Sequence, residues 1–86
     1  MKITAIPVDK FITKDGVHYF TSSDDTFWNS YSTVHAFQID TDGTSNVELT
    51  DGTNRQPTQD EITALENKWN TLNTAETDRI TAYNNS

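Results

Sequence analysis

The ten residues Phe11-Ile12-Thr13-Lys14-Asp15-Gly16-Val17-His18-Tyr19-Phe20 decide the fold class. Two runs rich in aromatic and β-branched residues flank Asp-Gly, a pair that accepts the positive φ angles of a two-residue hairpin turn. A turn at Asp15-Gly16 sets the register, opposing Lys14 to Val17, Thr13 to His18, Ile12 to Tyr19 and Phe11 to Phe20. Side chains alternate along a strand, so Ile12, Val17 and Tyr19 share one face.

On the N-terminal side, Lys2 to Val8 is short and Ile-rich. Pro7 has no amide to donate, which predicts a sheet edge or a strand end. On the other side, Thr21 to Ser32 breaks the pattern: the polar Ser22-Ser23-Asp24-Asp25 precedes Phe27, Trp28 and Tyr31. This segment is expected to form a loop or a single helical turn whose aromatics fold back on the sheet.

Thr33 to Ile39 and Asn46 to Thr50 read as a second hairpin with Asp42 and Gly43 in its turn. A two-residue turn would oppose Phe37 to Glu48 and place a charge on the apolar face. A three-residue loop opposes Ile39 to Val47, Phe37 to Leu49 and Gln38 to Glu48, and is preferred because it separates apolar from polar residues. It also sets His35 opposite Asp51. Asp51-Gly52 ends the strand.

Pro57-Thr58-Gln59-Asp60-Glu61 opens a helix. Thr58 and Glu61 form a capping box, in which each side chain accepts from the other's backbone N–H, and the acids sit at the positive end of the helix dipole. Ile62, Leu65, Trp69 and Leu72 follow as one stripe at helical spacing. Beyond them the chain is polar and Thr-rich; continued as a heptad, the stripe meets Glu76, Arg79 and Tyr83, and Ile80 could substitute by drifting one position. The chain thus reads as α+β: two hairpins and an N-terminal strand in a small antiparallel sheet, packed on one C-terminal helix. One domain is expected over 1–86, β-rich over 1–57, helical over 58–75, with a polar tail over 76–86, frayed or ordered only against a partner. The expected core is Ile3, Ile12, Tyr19, Phe37, Ile39, Val47, Leu49, Ile62, Leu65, Trp69 and Leu72, with Trp69 as its plug.

Composition bounds the role. The chain has 86 residues, 33% hydrophobic, a net charge of -7 and no cysteine. So small a core contributes little net stability, and no disulfide or thiolate-bound zinc can support it, so a partner would add much. The acidic balance argues against a nucleic-acid-binding surface, which needs clustered Lys and Arg. No apolar run is long enough for a membrane span, and Met1 to Val8 does not read as a secretion signal. Asn84-Asn85-Ser86 matches a glycosylation sequon, without a secretion signal to give it meaning.

Few residues suggest chemistry. Gln38 to Gly43 has some spacing of a calcium loop, but Gln38 takes its first position and Leu49 its twelfth, so a hairpin turn explains the same residues. His35 and Asp51 could form an oriented base, yet no nucleophile accompanies them. His18 and His35 would need a carboxylate between them to bind a metal. Asp24 and Asp25 are adjacent and suit capping. Trp28 and Tyr31 could stack on sugar rings, or simply cover the sheet. No catalytic residue, metal ligand or cofactor is expected.

Val34-His35-Ala36-Phe37-Gln38-Ile39, then Val47-Glu48-Leu49-Thr50-Asp51-Gly52, then the capped helix through Trp69, resemble a group of short tailed-bacteriophage accessory proteins over about residues 33–72. In that group a Val-His-Ala-Leu-Gln-Trp-like strand precedes a Gly turn, an Ile-Glu strand, an Asp-Gly and a Trp-bearing helix. The resemblance implies a virion component of the capsid, neck or tail, made in the host cytoplasm, with other virion proteins or its own copies as partners. It implies no catalytic residues. Phe27, Trp28, Tyr31, Arg79 and Tyr83 are the expected interaction residues; Asp15, Gly16, Asp42, Gly43, Thr58, Glu61 and Trp69 are expected to be structural. Two other roles fit the composition: an acidic mimic of nucleic acid that blocks a host protein, and a carbohydrate-binding tip.

Overall fold

The computed structural model describes residues 1–84. Its strands are β1 (Lys2–Ile6), β2 (Phe11–Lys14), β3 (Val17–Phe20), β4 (Val34–Asp40), β5 (Asn46–Leu49) and β6 (Asn54–Arg55), followed by one helix, α1 (Gln59–Asn84). All six strands form one sheet in the order β3-β2-β1-β4-β5-β6, antiparallel throughout. The α+β architecture is the expected one. The N-terminal strand, however, is not at an edge but between the two hairpins. Pro7 marks its end, opening a short 3-10 helix (Pro7–Asp9) that leads into β2.

The first hairpin has the register read from its turn, from Phe11 opposite Phe20 to Lys14 opposite Val17. Asp15 and Gly16 take φ values of 50° and 87°, as a tight primed turn requires. Asp15 also accepts a hydrogen bond from the Lys2 amide at 2.9 Å, tying the turn to β1.

The second hairpin departs from expectation. Phe37 opposes Val47, Gln38 opposes Asn46 and Val34 opposes Leu49. The same residues face the core, but the register lies two residues from the preferred one. β1 pairs with β4 from Ala5 opposite Phe37 to Lys2 opposite Asp40. The loop runs over 41–45, beginning one residue before the preferred Asp42-Gly43-Thr44 and ending one residue after it, and side chains rather than ladder pairs close it. Ser45 Oγ accepts from the Asp40 amide (2.9 Å), and the Asp40 carboxylate accepts from the Asp42 amide (3.0 Å). Gly43 lies against that carboxylate: a Cβ there would stand 2.9 Å from Asp40 Oδ2. Thr41 and Asp42 hold the N-terminal ammonium, at 3.1 Å and 3.6 Å. The acidic residues of this loop are thus occupied by the loop itself and the chain terminus, as a hairpin turn rather than a calcium loop.

The register also shifts between Val34 and Ala36, a bulge at His35. A bulge adds one residue to one strand, so residues three apart can share a face. Val34 and Phe37 are therefore both buried, where simple alternation from Phe37 would turn Val34 outward.

The core comprises Ile3, Ala5, Ile12, Trp28, Val34, Phe37, Ile39, Val47 and Leu65, with Leu49, Ile62, Trp69 and Leu72 packed around it half-buried. Leu65, fully buried, is the helix residue at the centre. Trp69 is displaced from the expected central place to the end of the first hairpin. There its indole N–H donates to the Val17 carbonyl at 2.9 Å, its ring lies 5.8 Å from that of Tyr19, and Lys14 Nζ sits 4.9 Å from its ring centre. Tyr19 is half-buried and its hydroxyl donates to Asn73 Oδ1 at 2.6 Å.

The helix packs on β1, β2 and β3. Its capping box forms as expected: the Thr58 amide donates to Glu61 Oε1 (2.8 Å), and the Glu61 amide donates to Thr58 Oγ1 (3.2 Å). Arg55 of β6 adds a two-pronged contact to the same carboxylate, both distances 2.7 Å. The expected tail from 76 onward is helical as far as Asn84, although every residue from Thr77 to Asn84 is exposed. Once nucleated, a helix adds residues easily. Arg79 pairs with Glu76 one turn earlier at 2.6 Å. Residues 85 and 86, which end the expected tail and the sequon, lie outside the described residues. No helix is long and apolar enough to cross a membrane among those described.

Two predictions follow from this packing. Leu65→Ala removes a fully buried side chain and is expected to cost about 3 kcal/mol, against about 1 kcal/mol for the half-buried Leu72→Ala, in urea unfolding followed by circular dichroism. The Arg55 guanidinium holds the Glu61 carboxyl below its usual pKa, with the Thr58 amide assisting. A carboxylate depressed on folding adds stability above its ordinary value, about 4.3, and loses that contribution as pH falls through the folded value. Glu61→Gln should therefore be less stable than the parent by about 1 kcal/mol at pH 7, discounted for partial exposure, with the gap closing in melts taken toward pH 3.

Candidate functional site

The segment chosen from sequence as an interaction site folds as Thr26–Tyr31, a short 3-10 helix capped by Asp25, whose carboxylate accepts from the Phe27 amide at 2.9 Å. Asp25 also receives Lys68 Nζ from the helix at 2.7 Å, and both side chains are largely shielded. The Lys68 ammonium is the main cause that holds the Asp25 carboxyl below its usual value. This ion pair pins the aromatic turn to α1.

The aromatics of that turn then face inward. Trp28 is only 3% exposed, and its indole N–H donates to Thr21 Oγ1 at 2.7 Å. Phe27 stands edge-on to Trp28 with ring centres 4.9 Å apart, and Tyr31 stands edge-on to Phe37 of β4 at 5.3 Å. A sugar-stacking platform needs an exposed ring face, and Trp28 has none. The turn covers the sheet beside the helix and contributes to the core.

At one end of this turn lies a cleft of about 620 Å³, lined by Val8, Lys10, Trp28, Tyr31, His35 and Thr50 among others. His35, exposed at the bulge, does not meet Asp51 across the sheet. Asp51 caps its own turn, accepting from the Thr53 amide at 3.0 Å and the Thr53 hydroxyl at 2.6 Å. Those two bonds, the hydroxyl first, hold its carboxyl below the usual range. The oriented histidine base considered from sequence is therefore not assembled. Among the described residues, no group of three or more His, Asp or Glu side chains comes together as metal ligands. Arg79 is engaged with Glu76, and Tyr83 is 77% exposed near the end of α1.

The opposite face of the sheet carries a feature that was not singled out from sequence. Its side chains are those alternating with the core set, including Lys2, Thr4, Ile6, Phe11, Thr13, His18, Phe20, Gln38 and Glu48. Most are polar. At the β2–β3 end, however, Phe11 meets Phe20 at 5.4 Å between ring centres and His18 at 5.7 Å, while His18 and Phe20 are 6.2 Å apart. Ile6 pairs with Phe11. Phe20 is 68% exposed, His18 is exposed and Phe11 is half-buried. The signal was present in the hairpin register, which sets Phe11 opposite Phe20 on the face away from Ile12. A hairpin with apolar residues on both faces has one face too many for a single layer of helix.

Trp28 and Trp69 can be separated by spectroscopy. With Trp69→Phe, Trp28 is the sole indole, and its emission is expected to be blue-shifted and poorly quenched by acrylamide. Red-shifted, freely quenched emission would show a ring available to ligands instead. In comparisons with known proteins, no family model, no curated protein and no solved structure matches this chain.

Proposed function

We propose that this chain is a non-enzymatic assembly protein of a tailed-bacteriophage particle, working in the capsid, neck or tail by docking on other virion proteins or on its own copies. The observation that carries this is the Phe11-His18-Phe20 cluster, an aromatic patch left uncovered on an otherwise polar sheet face. Contiguous exposed apolar rings on a small protein favour burial against a partner. Aromatic side chains are also the usual anchors of such contacts.

Two further points support it. The sequence resemblance over residues 33–72 falls on β4, β5, β6 and the capped first half of α1. The acidic charge is distributed: Asp25, Asp40, Glu61 and Glu76 each pair with a Lys or Arg, on the aromatic turn, the sheet and two parts of the helix. That favours a solubilising role over a phosphate-like array.

Quantitative mass spectrometry of washed, intact particles from a phage carrying this sequence tests the proposal. The chain is expected at a fixed ratio to the main structural proteins. Phe20→Ser should lower that ratio while changing the stability of the isolated chain by no more than about 0.5 kcal/mol. Particles that lack the parent chain would overturn the assignment.

A further inference from the structure

Resting on the assembly role just proposed, we infer that the partner of the β3 edge is a second copy of this chain, joined strand to strand across a two-fold axis at Tyr19. The two edges of the sheet are treated differently. The β6 edge has only Asn54 and Arg55, and its Arg is committed to Glu61 on the helix. Short, charged edges resist pairing. The β3 edge, Val17-His18-Tyr19-Phe20, contains no Lys, Asp, Glu or Pro and has no bulge. Val17 is 49% exposed at its start and Phe20 is 68% exposed at its end, on the opposite face.

The backbone selects a register. The Thr21 amide donates to the Lys10 carbonyl at 2.8 Å. Antiparallel pairs alternate between bonded and non-bonded, so with Phe11 opposite Phe20 and Ile12 opposite Tyr19 the bonded pairs are Ile12–Tyr19 and Lys14–Val17. The N–H and C=O groups of His18 and Phe20 therefore point out of the sheet. A second copy that continues the sheet antiparallel must match residues of like facing. Setting Tyr19 against Tyr19 does so, and places His18 of each copy against Phe20 of the other. Both outward-pointing residues of the strand then find partners within it, closing two narrow hydrogen-bonded pairs. No other face-preserving register achieves that within Val17–Phe20.

Side chains agree with this register. It brings the Phe11, His18 and Phe20 rings of the two copies together into one patch on the open face. The chain's net charge of -7 otherwise repels a second copy. The uncharged strand is where two such chains can approach.

Engineered disulfides test the pairing cleanly, because the chain has no cysteine of its own. His18→Cys and Phe20→Cys both alter exposed positions. Bonded antiparallel neighbours lie about 5.5 Å apart at Cα, within disulfide range. Mixing the two single variants under mild oxidation should give about tenfold more disulfide dimer than either alone. Sedimentation of the parent chain should show a dimer favoured by added salt, and Phe20→Lys should return it to monomer. A parent chain that stays monomeric at millimolar concentration, or a mixture that crosslinks no better than its components, overturns the self-pairing. Particles that still contain the chain in fixed ratio would then leave the assembly role standing with a different partner.

Discussion

The structure depends on β1 being hydrogen-bonded on both sides. Neither hairpin alone has enough apolar surface to be stable, since a two-stranded unit is marginal in water. Lys2–Ile6 joins them into one sheet, with Ala5 opposite Ile12 on one side and Phe37 on the other. All three are fully buried. Ala5 is small, which leaves space above the middle strand for larger neighbours and for Leu65 from the helix. The N-terminus is consequently fixed as well: its ammonium and first carbonyl are bound by the loop after β4. The start of the chain and the loop of the second hairpin are thus held together.

A single helix cannot shield a six-stranded sheet. At ordinary strand spacing the sheet is about 24 Å across, whereas a helix with side chains covers about 10–12 Å. Here the helix takes β1 to β3, and the turn Thr26–Tyr31 packs onto β4, the two joined by Lys68 and Asp25. That division keeps one face of the sheet apolar with few large hydrophobic residues. It leaves nothing to cover the other face, which is polar except where the first hairpin places its second set of rings.

The local features were legible in the sequence because each has a short-range cause. The Asp15-Gly16 turn, the Thr58–Glu61 box and the Ile62-Leu65-Trp69-Leu72 stripe are fixed by neighbours a few residues apart. The second hairpin was not legible in the same way. Its register goes with a loop closed by side-chain bonds of Asp40 and Ser45 rather than by a two- or three-residue turn, and its bulge at His35 shows no distinctive residue. Trp69 was placed on the correct face but not at the correct depth, because depth depends on where the helix crosses the strands. The inward turn of Trp28 goes with the Asp25–Lys68 tie, a contact between residues far apart in sequence.

The candidate site was legible in part, for a related reason. Residue type suggested the most conspicuous aromatics, Trp28 and Tyr31, while the uncovered rings belong to a hairpin that looked wholly structural. An aromatic's role in a small sheet protein is set by which face it occupies and whether anything is left to cover that face. With hydrophobic residues at 33% of the chain, those that remain exposed carry more information than they would on an apolar-rich protein. A one-residue slip in this hairpin would carry Phe11 and Phe20 to the other face; the Asp-Gly turn prevents that slip. The same turn that secures the fold therefore also fixes the apolar patch beside the open edge, and stability and exposure are coupled through one register.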